Sequence, residues 1–137
     1  MNGVMAMRTL FAILLAMVVT SACANGLERN RDPLAQYDGY IGEPVRSFTA
    51  FRVQSWQPVD TNQLILWTGV NDAYLIKVEG YCPDLPYANT VSVDNKTSQI
   101  STLDSIIVKG DRCRIKQINP IDVKTMKADR KLNEKPK

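Results

Sequence analysis

The residue types that most often carry out chemistry in proteins are sparse in this sequence, which has three cysteines and no histidine. The absence of imidazole excludes Ser-His-Asp and Cys-His catalysis and histidine-based zinc sites. Carboxylate pairs remain, and the candidates are Asp60, Asp72, Asp84 and Asp104. Turns favour aspartate at Asp72 and Asp84, and Asp104 precedes a strand whose backbone donors it can satisfy. We therefore predict a protein that is not an enzyme, with no catalytic residue, metal site or cofactor.

The first cysteine, Cys23, follows a segment that is typical of protein export. Arg8 precedes an uncharged apolar run at residues 10–19, and small residues follow the run. A permanent transmembrane helix needs about 20 apolar residues, so this run is too short to be one. It matches the apolar region of a secretory signal, and we predict a signal peptide at residues 1–22.

Two processing routes are compatible with "TSACANG" at residues 20–26. In one, cleavage at a small-x-small site formed by Ala22 and Ala24 removes Cys23 and leaves a soluble periplasmic or secreted protein. In the other, which we favour, "TSAC" is a bacterial lipobox and Cys23 is the lipidated N-terminus, although Thr20 stands where an aliphatic residue is usual. Three acyl chains, palmitate among them, give stable anchoring. Ala24 after the cysteine favours the periplasmic face of the outer membrane.

The other two cysteines, Cys82 and Cys113, are predicted to form a structural disulfide. An exported protein folds in an oxidising compartment, and setting Cys23 aside leaves one connectivity. A redox-active pair is the alternative, but the sequence has no C-x-x-C motif.

The segments that must position these residues begin with an anchor and polar linker at residues 23–32. "DPLAQYDGYIG" then predicts a short helix, with Asp32 as N-cap, Pro33 at the first helical position and Gly39 as the stop. Residues 45–118 carry the signals of β-strands.

Within the strand region, "QLILW" is apolar on both faces, as in a strand that is covered on both sides. "AYLIKV" returns after a turn, and Pro58 places "RVQSW" at a sheet edge or ends the strand there. The clearest hairpin joins "SIIVK" to "RCRIKQI" through a two-residue Gly110-Asp111 loop, which suits a primed turn.

The segment "NPIDVKTMKADRKL" predicts a C-terminal amphipathic helix, capped by Asn119 and with Pro120 at its first position. An apolar stripe would pack on the sheet and leave the lysines outward. The stripe consists of Ile121, Thr125, Ala128 and Leu132, and the lysines are Lys124, Lys127 and Lys131.

The predicted fold class is α+β. We expect a single small antiparallel β-sheet domain at residues 33–132, with a short N-terminal helix and a C-terminal amphipathic helix. A disordered tail is predicted at residues 133–137.

Charge is distributed unevenly along the chain, since acidic residues predominate before Lys109 and basic residues after it. Arg112, Arg114 and Lys116 alternate with apolar or uncharged neighbours, so they share one face of the predicted strand. They form a candidate anion-contacting surface, with a simple solvated face as the alternative. Nucleic acid is not an expected partner, because the protein is exported and no aromatic residue lies among these cations.

Three stretches together resemble a known family: "LILWTGVNDAYLIKVEGYCPDL", "YANTVSV" and "LDSIIVKGDRCRIKQINPIDV". They look like a family of small exported proteobacterial proteins that is catalogued as a domain of unknown function. The resemblance covers residues 43–125 and implies a cellular location and a fold but no catalytic activity. Many members of the family carry a lipobox cysteine. The pattern falls on Trp67, Thr68, Tyr74, Leu75, Cys82, Leu85, Asp104, Cys113, Ile115, Ile118 and Asp122.

Two classes of function follow from the sequence. The favoured class is a non-catalytic cell-envelope protein, an accessory or binding module held on the membrane by a lipid anchor, whose partner is an envelope protein or an anionic headgroup. The alternative is a small-ligand-binding protein or a hydrolytic enzyme that uses aspartates and aromatic residues. A concave pocket joining exposed aromatic residues to Asp60, Asp84 or Asp104 would favour the alternative.

Overall fold

A computed structural model of the protein describes residues 32–134, which form an antiparallel β domain with one α-helix at its C-terminal end. The predicted signal peptide, Cys23, the linker up to residue 31 and the last three residues lie outside the described residues. The elements are β1 (Ser47–Thr49), β2 (Ser55–Asp60), β3 (Gln63–Trp67), β4 (Asp72–Val78), β5 (Val91–Asp94), β6 (Gln99–Ser101), β7 (Ser105–Val108), β8 (Asp111–Asp122) and α1 (Val123–Asn133).

Six of the strands form one sheet in the order β2-β3-β4-β8-β7-β5, and β1 pairs with β6 in a separate two-stranded ribbon. Every pairing is antiparallel. The structure therefore confirms the predicted antiparallel sheet and C-terminal helix.

The six-stranded sheet is covered on both faces, as "QLILW" predicts. In β3, Leu64 and Leu66 belong to a first core, whereas Ile65 belongs to a second core on the opposite face. Phe48 of β1 and Ile100 of β6 also lie in the first core, so the ribbon covers that face. The second core contains residues of α1 and of the N-terminal segment, which cover the other face.

Strand β8 is 12 residues long and joins the two halves of the sheet. Its first residues pair with β7, and its remaining residues pair with β4. The register shifts where Lys77 pairs with Gln117 but Val78 pairs with Ile115, so Lys116 is an extra residue. Because a bulge of one residue reverses the alternation of side chains, Ile115 faces the first core and Ile121 the second.

The N-terminal segment covers the edge of β8 that β7 leaves free. Ile41 bridges to Ile121, and Val45 bridges to Ile118. Between them, the Gly42 N–H donates to the Pro120 carbonyl at 2.8 Å. Pairing of this kind protects an edge that would otherwise expose unsatisfied backbone groups.

The one buried polar side chain among residues 32–134 is Asn119, and it fastens this same segment. Its Nδ2 donates to the Gly42 carbonyl at 2.9 Å, and its Oδ1 accepts a hydrogen bond from Gln117 Nε2 at 2.7 Å. Hydrogen bonds of this kind offset the cost of burying an amide.

Pro58 lies inside β2, which is an edge strand of the sheet, as its missing N–H predicts. The register between β2 and β3 also shifts between Pro58 and Asp60. A proline and a bulge make this edge a poor template for pairing with another chain.

The predicted hairpin between β7 and β8 is present, but its loop lies one residue earlier than predicted. Val108 pairs with Asp111, so the two loop residues are Lys109 and Gly110 rather than Gly110 and Asp111. Both have positive φ, 50° and 92°, as a type I′ turn requires. Asp111 is instead the first residue of β8.

At the place of the predicted N-terminal helix, the described chain makes a single 3-10 turn at Ala35–Tyr37. Asp32 Oδ1 accepts a hydrogen bond from the Leu34 N–H at 2.9 Å, which orders the chain just before this turn. Tyr37 is buried in the second core and holds the segment on the sheet.

The predicted start of the C-terminal helix is wrong. Asn119 and Pro120 are residues of β8, and the N-cap of α1 is Asp122. The Asp122 carboxylate accepts hydrogen bonds from the Thr125 N–H at 3.0 Å and the Thr125 hydroxyl at 2.8 Å. These two bonds are the largest causes that lower the pKa of Asp122 below its usual value.

The predicted apolar stripe is wrong for the same reason. The buried residues of α1 are Val123 and Met126, whereas Leu132 is 67% exposed. Thr125 and Ala128 are exposed as well. Ile121 is buried, but it is buried as a residue of β8.

The predicted disulfide between Cys82 and Cys113 is confirmed, with the two Cα atoms 6.1 Å apart. Both cysteines are buried in the first core. Cys113 lies in β8, and Cys82 lies in the loop after β4, where its N–H donates to the Thr61 carbonyl at 3.1 Å. The disulfide therefore ties this loop to β8, the strand that joins the two halves of the sheet.

Replacing both Cys82 and Cys113 with alanine should lower the free energy of unfolding by about 3.5 kcal/mol, because the bond closes a loop of 31 residues in the unfolded chain. Urea denaturation of the two proteins measures the difference. In a strong reductant the two curves should approach each other. Two free thiols in the purified wild type would contradict the pairing.

Ile121→Asp should lower the free energy of unfolding by more than about 3 kcal/mol, because it places a charge among the apolar side chains of the second core. Leu132→Asp is the matched control and should cost less than about 1 kcal/mol, since this side chain is exposed. Comparable losses in urea denaturation would contradict the observed helix faces.

Candidate functional site

Most of the aspartates that were candidates for acid–base catalysis form hydrogen bonds or ion pairs within the fold. Asp104 Oδ2 accepts hydrogen bonds from the Ser101 N–H at 2.7 Å and the Ser101 hydroxyl at 2.9 Å, so it satisfies a backbone donor of β6 before it rather than of β7, the strand that follows it. Asp84 pairs with Lys109 at 3.0 Å, which spans from the Cys82 loop to the β7–β8 hairpin. Asp60 Oδ1 accepts from the Thr61 N–H within a turn.

Of the aspartates that the alternative function named, Asp84 lies between the exposed Tyr81 and Tyr87 along the chain, and its carbonyl accepts a hydrogen bond from the Tyr87 N–H at 3.2 Å. These two tyrosines are 72% and 74% exposed, respectively. Asp104 lines a cleft of about 360 Å³ with Asp94, Lys96 and Leu103, and this lining contains no aromatic ring.

An aspartate and aromatic rings meet elsewhere, in a cleft of about 420 Å³ between β1 and the β3–β4 turn. One wall is the segment that continues β1, and the other is the turn together with the first residues of β4. The lining residues are Thr49, Ala50, Phe51, Arg52, Thr68, Asp72 and Tyr74.

Tyr74 is the fixed point of this cleft. Its ring stacks on Phe48 of β1, with the ring centroids 3.7 Å apart and the planes inclined by 15°. Burial, and to a lesser degree the negative charge of Asp72, raises the pKa of the Tyr74 hydroxyl above its usual value. At neutral pH the hydroxyl is therefore protonated and can donate a hydrogen bond.

Asp72 closes the turn that forms the opposite wall. Its carbonyl accepts hydrogen bonds from the Thr68 N–H at 3.0 Å and the Gly69 N–H at 3.4 Å. A Cβ atom at Gly69 would lie 2.5 Å from Asp72 Oδ2, so the carboxylate occupies space that only a glycine leaves free.

Lys127 of α1 holds the same turn from outside the sheet. Its Nζ donates to the Val70 carbonyl at 2.7 Å and to Asn71 Oδ1 at 3.1 Å. Of the three lysines predicted to lie outward, Lys127 is therefore half-buried and has partners on a neighbouring turn. Lys124 and Lys131 are exposed, as predicted.

The segment after β1 brings two residues to the cleft that the sequence did not single out, Phe51 and Arg52. Phe51 is 89% exposed although it is a large aromatic residue. The alternation of "SFTAF" is the signal that indicates the exposure of Phe51. Phe48 and Ala50 are buried, so Phe51 lies on the side that faces solvent.

The candidate anion-contacting surface on β8 is exposed but partly neutralised. Arg112, Arg114 and Lys116 are all exposed. Arg112 forms an ion pair with Asp94 of β5, the edge strand on the far side of β7. Arg114 and Lys116 form no ion pair within residues 32–134, so they are the cations that this surface can still offer.

Within the described part of the chain, no group of three or more cysteine and carboxylate side chains is placed to hold a metal ion. None of the helices in that part has the length and hydropathy needed to cross a membrane.

The fold and the cleft define a small disulfide-bonded antiparallel β domain in which a polar cleft lies beside an exposed aromatic residue. The chain belongs to a family of unknown function, DUF6491, which matches residues 5–137. The match agrees with the expectation of a family without an assigned activity. Neither a curated protein nor a solved structure matches the chain at a significant level.

Lys127→Met should lower the free energy of unfolding by about 1 kcal/mol, because the turn loses two hydrogen bonds from a charged donor. Lys131→Met is the matched control in the same helix and should change it by less than about 0.5 kcal/mol. Urea denaturation measures both, and equal effects would contradict a role of Lys127 in holding the turn.

Proposed function

We propose that this protein is a non-catalytic, exported binding module of the cell envelope, anchored to a membrane through lipid on Cys23. The observation that carries the proposal is the buried disulfide between Cys82 and Cys113. Disulfides of this kind form in oxidising compartments and are rare where cytosolic reductants act. Since these two cysteines pair with each other, Cys23 is left over, and lipidation gives it a role.

The lipid anchor follows from the residues around Cys23. A short apolar run, small residues and then a cysteine fit a lipobox, and the alternative cleavage before Asn25 would discard the cysteine. Ala24 supports the outer membrane as the destination. The polar linker would keep the domain near the headgroups, on the order of 15 Å from the anchor.

Two surfaces support a binding role. Exposed Arg114 and Lys116 on β8 can contact anionic headgroups or an acidic envelope protein, with an attraction that salt weakens. The cleft beside the β3–β4 turn is the second surface, and its 420 Å³ lies in the range of small-molecule sites.

The second candidate function is a small-ligand-binding protein or a hydrolytic enzyme that uses an aspartate and aromatic residues. Asp72 and Tyr74 in one cleft favour it over the pockets first expected at Asp60, Asp84 or Asp104. Of its two forms, ligand binding is the better supported, because Asp72 is the single carboxylate in the lining of the cleft and general acid–base hydrolysis by two carboxylates needs a second.

Growth of cells with labelled palmitate should mark the wild-type protein but not Cys23→Ser, which should be released as a soluble protein if it is exported. Thr20→Leu is the matched control. It restores the aliphatic residue that a lipobox usually has, so its labelling should equal or exceed that of the wild type. An unlabelled wild-type protein that begins at Asn25 would contradict the lipid anchor and favour the soluble form.

A further inference from the structure

The cleft beside the β3–β4 turn contains two opposite charges that do not satisfy each other. Arg52 lines one wall and Asp72 the other, and both are exposed to solvent. Neither side chain forms an ion pair anywhere in residues 32–134, whereas Lys109 and Arg112 do. A guanidinium and a carboxylate on opposite walls are thus both available to a ligand.

We propose that this cleft binds a small zwitterion of the α-amino-acid class with an aromatic side chain. The carboxylate of the ligand pairs with Arg52, whose planar guanidinium suits two parallel hydrogen bonds. The ammonium group of the ligand pairs with Asp72. This assignment deepens the proposed binding role and rests on it.

The apolar part of the ligand has a matching surface. Phe51, which is 89% exposed, lines the cleft and directly precedes Arg52 in the chain. An exposed aromatic ring at the mouth of a polar cleft gains from covering its face with another ring. The Tyr74 hydroxyl, protonated at neutral pH, adds a donor near the Asp72 wall.

Ligands with a single charge fit this arrangement less well. A ligand with only a negative charge could pair with Arg52 but would leave Asp72 without a partner. A ligand with only a positive charge could pair with Asp72 but would be repelled by Arg52. A neutral sugar could hydrogen-bond to both, but it would gain no charge pairing from either. The opposed charges therefore select for a molecule that carries both.

The position of the Asp72 carboxylate is built into the turn. Gly69 provides the space for it, because a Cβ there would lie 2.5 Å from Oδ2. Gly69 does not have positive φ, so alanine fits its backbone and acts by displacing the carboxylate. Gly69→Ala therefore moves the charge without removing it.

Ligand-observed NMR with the full protein purified in detergent tests the proposal. The probes are phenylalanine, phenylalaninamide, which lacks the carboxylate, N-acetylphenylalanine, which lacks the ammonium group, and maltose as a neutral sugar. Phenylalanine should bind, and removal of either charge from the probe should weaken binding by about tenfold. Maltose should show no binding.

Variants assign each charge to its partner. Arg52→Gln should abolish the preference for phenylalanine over its amide, and Asp72→Asn the preference over the N-acetyl form, since each preference needs its own protein charge. Gly69→Ala should weaken phenylalanine binding as Asp72→Asn does. Arg46→Gln, at an exposed arginine outside the cleft, is the matched control and should change nothing.

Several outcomes would overturn the proposal. They are no binding of phenylalanine, equal binding of phenylalanine and a single-charge probe, stronger binding of maltose, or full binding by both Arg52→Gln and Asp72→Asn. None of these depends on palmitate labelling, so a failure here is distinct from a failure of the lipid anchor. Circular dichroism of each variant confirms that it is folded.

Discussion

The bulge in β8 is the constraint on which the rest of the structure depends. Before it, the strand places Cys113 and Ile115 in the first core, and after it Ile121 lies in the second. Alternation alone would place Ile121 on the same face as Cys113 and Ile115. The extra residue reverses the alternation, so Ile121 faces the second core and Ile118 the first. The disulfide is anchored before the bulge and α1 follows after it, so the two stabilising features of the domain lie at opposite ends of one strand.

This arrangement also positions the cleft. The second half of β8 pairs with β4 up to Asp72, so α1 starts directly beside the β3–β4 turn. That proximity lets Lys127 reach the turn with two hydrogen bonds. Stacking of Tyr74 on Phe48 joins β4 to the ribbon and brings the segment with Arg52 to the opposite side. The cleft is thus a product of long-range packing, although most of its residues are close to one of two short segments.

The sequence predicted the parts of the fold that rest on local patterns. The two-faced strand β3, the edge position of Pro58 and the disulfide all follow from composition, spacing or the cysteine count. The predicted start of α1 is wrong because Asn119 and Pro120 have the residue types of a helix N-terminus. In the folded protein the Asn119 amide and the Pro120 carbonyl instead serve the edge contact with Gly42. The cleft could not be predicted, since it needs β1 and the β3–β4 turn to meet.

At the end of the β4–β8 pair, two aspartates lie opposite each other, and the way their charges are accommodated affects the cleft. Asp72 and Asp122 are directly paired, and like charges opposite each other destabilise a sheet. The two carboxylates have different partners: Asp122 caps α1 through Thr125, which stabilises its charge and lowers its pKa. Asp72 extends instead over Gly69 into the cleft. Because the helix cap satisfies one of the paired aspartates, the other keeps its carboxylate in the cleft without an ion pair in residues 32–134, so the start of α1 and the charge of the cleft are set together.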